Sequence, residues 1–79
     1  MYTDVIHAEP LENFCVFVEL QDGRKGLFDT KPYLGWNAYR ALRDPVYFRS
    51  LRVEHGVLCW PQEEDIAPET LEGELQALP

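Results

Sequence analysis

Two apolar runs flank the dipeptide Asp22-Gly23, and no other stretch restricts the fold of this chain as strongly. The first run is Phe14-Cys15-Val16-Phe17-Val18 with Leu20 behind it, and the second is Leu27-Phe28, followed by Asp29-Thr30. A tight hairpin turn holds consecutive residues at positive φ, which Asp and Gly tolerate, and a primed turn matches the twist of paired strands. Phe14 to Thr30 therefore reads as a β-hairpin. With a two-residue loop, Gln21 faces Arg24, Leu20 faces Lys25, Val18 faces Leu27 and Phe17 faces Phe28. That register puts Phe14, Val16, Val18, Leu20 and Leu27 on one face, and Cys15, Phe17 and Phe28 on the other. Apolar residues on both faces need cover on both, so the hairpin belongs at the centre of its sheet.

Length allows one small domain, residues 1–79, close to the size at which a single core is just sufficient. An apolar share of 46%, with 13% aromatic, suits a folded chain rather than a disordered one. No run approaches the roughly 18 apolar residues of a membrane span. Met1-Tyr2-Thr3-Asp4 lacks the basic-then-apolar order of an export signal. The expectation is a cytoplasmic protein with no membrane contact. Cys15 and Cys59 are too few for a disulfide framework and read as buried thiols.

Charge is distributed unevenly. The net charge is -7, yet all 7 basic residues, Arg24, Lys25, Lys31, Arg40, Arg43, Arg49 and Arg52, lie in the middle of the chain, opposed there only by Asp29 and Asp44. Both ends are acidic. The field of the whole chain repels nucleic acid and anionic membranes, so phosphate binding would rest on the middle segment alone.

Taken in order, Tyr2 to Ala8 reads as a first strand stopped by Glu9-Pro10, antiparallel to the Phe14 to Leu20 strand. Lys31-Pro32-Tyr33-Leu34-Gly35 is a connection anchored by Tyr33 and Leu34. Asn37 reads as the N-cap of a short helix, Ala38 to Arg43, and Asp44 as the cap of a single turn, Pro45 to Arg49, that buries Phe48. Leu51 to Glu54 and Val57 to Trp60 form a second hairpin about His55-Gly56. After an acidic loop, Gln62 to Asp65, a last helix starts near Pro68, with Leu71, Leu75 and Leu78 on one face, and residues 66–79 form this C-terminal helix or tail.

The series Leu20-Gln21-Asp22-Gly23, Phe28-Asp29, Leu42-Arg43-Asp44-Pro45 with Phe48, Val57-Leu58-Cys59-Trp60-Pro61 and Asp65-Ile66-Ala67-Pro68-Glu69-Thr70-Leu71 resembles a small bacterial domain-of-unknown-function family, number two-four-four-two. The resemblance covers Val5 to about Leu71. It implies a compact α+β domain, sometimes fused to a helix-turn-helix domain. It also implies that stand-alone members are often encoded beside another small protein, in a layout similar to toxin–antitoxin pairs. No catalytic residues come with it, and the expectation is a domain that departs from the fused form in lacking the DNA-reading helix pair.

Few residue sets suggest chemistry. His7, Cys15, His55 and Cys59 are ligand types that zinc accepts, but they lack the close pairing of structural zinc sites, and no metal or cofactor is expected. Neither cysteine has the electropositive, open setting of a nucleophile. Asp22, Asp44 and Asp65 have turn and cap roles. Asp29 has none beyond a cap for the Thr30 to Leu34 connection, so an enzyme or ligand site would use Asp29 with a nearby arginine. Arg40 and Arg43 are neighbours on a helix surface, with Arg49 and Arg52 beyond. They read first as a solvated face and second as a docking face for a protein or, less readily, nucleic acid. Trp36 and Tyr39 beside these arginines are the usual anchors of an interface.

The sequence thus points to an α+β fold with an antiparallel sheet of about five short strands, an N-terminal meander plus a second hairpin, and short helices packed on it. The expected function is a non-enzymatic interaction module that regulates or neutralises a partner encoded nearby. Its partner face would carry Trp36, Tyr39, Arg40, Arg43, Arg49 and Arg52, or use the open edge of the first strand. Homodimerisation through that edge or the last helix is left open.

Overall fold

Gly23 sets the geometry of the central hairpin. In the computed structural model, which describes residues 3–77, Gly23 has φ +96 and its N–H bonds the Leu20 carbonyl at 3.0 Å. The Leu20 N–H in turn bonds the Arg24 carbonyl at 2.8 Å. This is a three-residue loop, Gln21-Asp22-Gly23, in which glycine takes the left-handed position of a bulge. The Asp22 carboxylate accepts the Arg24 N–H at 3.0 Å and steadies the turn.

The extra loop residue moves the register by one from the two-residue expectation. Strands β2 (Cys15–Leu20) and β3 (Lys25–Asp29) pair Val16 with Phe28, Phe17 with Leu27 and Val18 with Gly26. Side chains alternate across a sheet, so a slip of one exchanges faces. Phe28 joins Val16, Val18 and Leu20 in the core, all with 0% exposure. Leu27 lies with Cys15 and Phe17 on the opposite, half-buried face. Gly26 thereby falls on the core side.

The class is α+β with antiparallel strands, but they divide into two sheets rather than one. β1 (Val5–Pro10), β2, β3 and β7 (Gln76–Ala77) form one, in that spatial order. β4 (Arg52–Glu54), β5 (Val57–Cys59) and β6 (Asp65–Ile66) form the other. The β4–β5 turn is as expected, with His55 at φ 53 and Gly56 at φ 77 between the paired Glu54 and Val57. The first strand starts later than expected and runs through Pro10, which is tolerated because β1 is an edge. Tyr2 lies outside the described residues.

That edge is partly closed where the sheets meet. The Val5 N–H bonds the Gly56 carbonyl at 2.9 Å, joining β1 to the β4–β5 turn. Beneath this junction Leu42, Leu58, Ile66 and Leu71 complete a shared core with Trp60. The buried Trp60 indole donates to the Phe48 carbonyl at 2.9 Å. Both Thr30 donors, N–H and hydroxyl, reach the Phe14 carbonyl, at 3.1 and 2.6 Å. They hold Phe14 at φ 59, a conformation that costs a bulky residue about 1–3 kcal/mol, while its ring packs edge-on against Phe48 at 5.4 Å.

The helical pieces are short. Asn37–Arg43 is 3-10 rather than α-helical, and Trp36, not Asn37, occupies the cap position, with no side-chain cap bond. α1 (Pro45–Phe48) starts as expected, with Asp44 accepting the Val46 N–H at 2.9 Å. α2 (Pro68–Glu74) is shorter than expected, because the chain turns extended at Leu75 to add β7 beside β3. Leu71 is fully buried in the core of its own chain. Leu78 lies outside the described residues.

Gly26 makes the β3–β7 contact possible. A methyl group there would meet the Gln76 carbonyl oxygen at 2.5 Å and Leu75 Cγ at 2.8 Å. Gly26→Ala should therefore destabilise the fold by about 1–3 kcal/mol. Gly35→Ala, with open space around the new methyl group, should stay within about 0.5 kcal/mol of the parent. Urea midpoints check this, and equal shifts for the two variants would contradict it.

Candidate interaction site

The connection after β3 advances in steps of three residues. Tyr33 N–H bonds the Thr30 carbonyl at 2.9 Å, Trp36 N–H bonds Tyr33 at 3.0 Å, and Tyr39 N–H bonds Trp36 at 3.0 Å. Bonds between residues three apart bring side chains at that spacing onto one side of the chain. Tyr33, Trp36 and Tyr39 therefore cluster. Tyr33 and Trp36 have ring centroids 5.1 Å apart at 73°, and Tyr33 and Tyr39 are 5.8 Å apart at 74°.

The cluster is fastened at both ends. Tyr33 is buried and stacks on Phe28 of β3 at 5.8 Å, and its hydroxyl donates to the Glu74 carboxylate. The Tyr39 hydroxyl donates to the Asp65 carbonyl at 3.1 Å. Trp36 stands above them, 57% exposed. Between the rings and the 65–74 segment runs a groove of about 380 Å³, lined also by Asp65, Ile66, Ala67, Thr70 and Glu74. Burial, then the Glu74 carboxylate, pushes the Tyr33 phenol up to about 12. Burial and Asp65 push Tyr39 upward in the same way.

The residues expected to form one partner face are not all brought together. Trp36 and Tyr39 adjoin, and Arg40 is exposed on the same 3-10 segment. Arg43 donates to the Leu34 carbonyl at 2.7 Å, bracing the connection. Arg49 lines a separate groove of about 220 Å³ with Leu11, Phe14, Pro45 and Phe48. Arg52 pairs with Glu54 at 3.5 Å and lines a third depression with Cys59. Sequence reasoning left Tyr33, Asp65, Thr70 and Glu74 out of the face. The spacing of Tyr33, Trp36 and Tyr39 is a readable signal only for 3-10 turns, whereas the carboxylates arrive through tertiary packing.

The other candidates occupy local positions. The Asp29 carboxylate accepts the Lys31 N–H at 2.9 Å and pairs with its ammonium at 3.0 Å, capping the connection. Asp22 and Glu72 both engage Arg24, and Glu72 also accepts the Thr3 N–H at 2.8 Å, tying the hairpin turn to α2. These bonds to Arg24 and Thr3 hold the Glu72 carboxyl below its usual range. His7 pairs with Glu9 at 3.3 Å, Cys15 lies near Lys31, and Cys59 lies near Glu54, with burial raising its thiol. Among the described residues no three His, Cys, Asp or Glu side chains are placed to hold a metal ion, and no helix is long and apolar enough to cross a membrane.

Fold and face together describe a small α+β domain with an aromatic-lined groove. Residues 5–77 match the family model described as Protein of unknown function (DUF2442), and the chain belongs to that family. No curated protein and no solved structure matches it.

The phenol of Tyr33 gives a pH signature. Its folded value of about 12 lies above the ordinary 10.0, so folding favours the protonated form. The stabilisation is complete below pH 10.0 and is lost as pH rises through about 12. Ultraviolet titration of tyrosinate should show this group ionising late. Glu74→Gln should lower it, though not to 10.0, because burial is the larger cause. An unchanged late transition in that variant would contradict the assignment.

Proposed function

We propose that this domain is a non-enzymatic interaction module that binds a protein encoded beside it, acting as the regulatory or neutralising member of a toxin–antitoxin-like pair. The observation that supports this reading is the exposed indole of Trp36, held in place by Tyr33 and Tyr39. Large aromatic rings dominate the energetics of interfaces, and a ring already fixed loses little freedom on binding. The groove beside it gives a partner side chain somewhere to enter. The paired-gene arrangement is what the family resemblance implies.

Co-elution with the product of the neighbouring gene at micromolar concentration tests the reading. Trp36→Ala should weaken the complex by about tenfold or more, the loss associated with truncating an interface anchor. The melting temperature of the free domain should barely move, because Trp36 lies outside the core. Failure of the parent protein to co-elute, or an unchanged complex with Trp36→Ala, would overturn it.

A further inference from the structure

We infer that the groove beside Trp36 receives the cationic head of a lysine or arginine carried on a basic segment of the partner protein. The inference rests on the reading of this face as a partner site and adds the sign of the partner's charge. Three rings form one wall. Tyr33 is nearly perpendicular to Trp36 and to Tyr39, at 73° and 74°, and Trp36 and Tyr39 lie 6.1 Å apart at 43°. The face of a Trp or Tyr ring attracts a cation that comes within about 6 Å of its centroid.

The opposite wall selects the same sign. Asp65 and Glu74 line it, and among the described residues no lysine or arginine does. Arg43 is turned to the Leu34 carbonyl, and exposed Arg40, next to Tyr39 in sequence, is not among the lining residues. Tyr33 and Tyr39 are protonated at neutral pH, as phenols with an ordinary value of 10.0 are, and their surroundings raise both further, so the rings are uncharged. Ile66 and Ala67 supply an apolar surface for the methylene stem of a long side chain, whose charged end stays with the carboxylates. At longer range the net charge of -7 steers a basic segment toward the domain.

The test follows the indole N–H signal of Trp36 by nuclear magnetic resonance, with buried Trp60 as an internal reference. Hexalysine, hexaglutamate and tetramethylammonium are titrated at one ionic strength. Hexalysine should move the Trp36 signal saturably and leave Trp60 in place. The double variant Asp65→Asn/Glu74→Gln should weaken that response about fivefold or more, equivalent to about 1 kcal/mol. Glu9→Gln/Glu12→Gln removes the same two charges from elsewhere and should change it little.

Four results would overturn the assignment: a Trp36 response to hexaglutamate, no saturable response to hexalysine, equal weakening in both double variants, or tetramethylammonium saturating at the same concentration as the peptide. The outcome is separable from the interaction reading. A complex that depends on Trp36 while hexalysine leaves the indole unmoved keeps the interaction and removes the cationic pocket. Hexalysine binding without a Trp36-dependent complex does the reverse.

Discussion

The pairing of β2 with β3 is the contact on which the other parts depend. Its register comes from the left-handed Gly23 at the end of a three-residue loop, and one step of slip would move Phe28 out of the core. With Phe28 inside, its ring supports Tyr33, and Tyr33 supports Trp36 and Tyr39. The same register places Gly26 where β7 can approach, and β7 follows directly from α2. The ring wall of the groove is thus carried by β3 through Phe28, and α2, which brings Glu74 to the other wall, leads into the strand that pairs at Gly26.

Local signals were legible where local chemistry decides the structure. Asp44-Pro45 opened α1, and His55-Gly56 made a two-residue turn, because cap and turn preferences act within a few residues. The hairpin itself was legible, but not its loop length, since Asp22-Gly23 satisfies both a two-residue turn and the bulged three-residue loop. Leu71, Leu75 and Leu78 suggested a longer helix. Pairing of Gln76 with Leu27 ends it early, a non-local gain that helical periodicity does not reveal. The division into two sheets also depends on non-local packing, with Val5 bonded to Gly56 at the junction.

The lining of the candidate groove was only partly legible for the same reason. Trp36 and Tyr39 stand out as large rings beside arginines, and both belong to the groove. Tyr33 read as an anchor, which it is, yet it is also a wall, because the turns repeat every three residues rather than every 3.6. Asp65 and Glu74 are far away in sequence and reach the rings only through β6 and α2. Their arrival changes the electrostatics of the face. A run of arginines suggested attraction for negative charge, but Arg43 and Arg52 meet partners within the chain, while the concave surface is acidic and aromatic.

Amide hydrogen exchange on the domain, alone and with the product of the neighbouring gene, tests the central claim that the ring-lined groove is the binding surface. Slower exchange on binding should be confined to residues 33–39 and 65–74, with the exposed Ile6 stretch of β1 unchanged. Protection concentrated on β1 or around Leu11 and Val46, or no protection in either segment, would contradict the account.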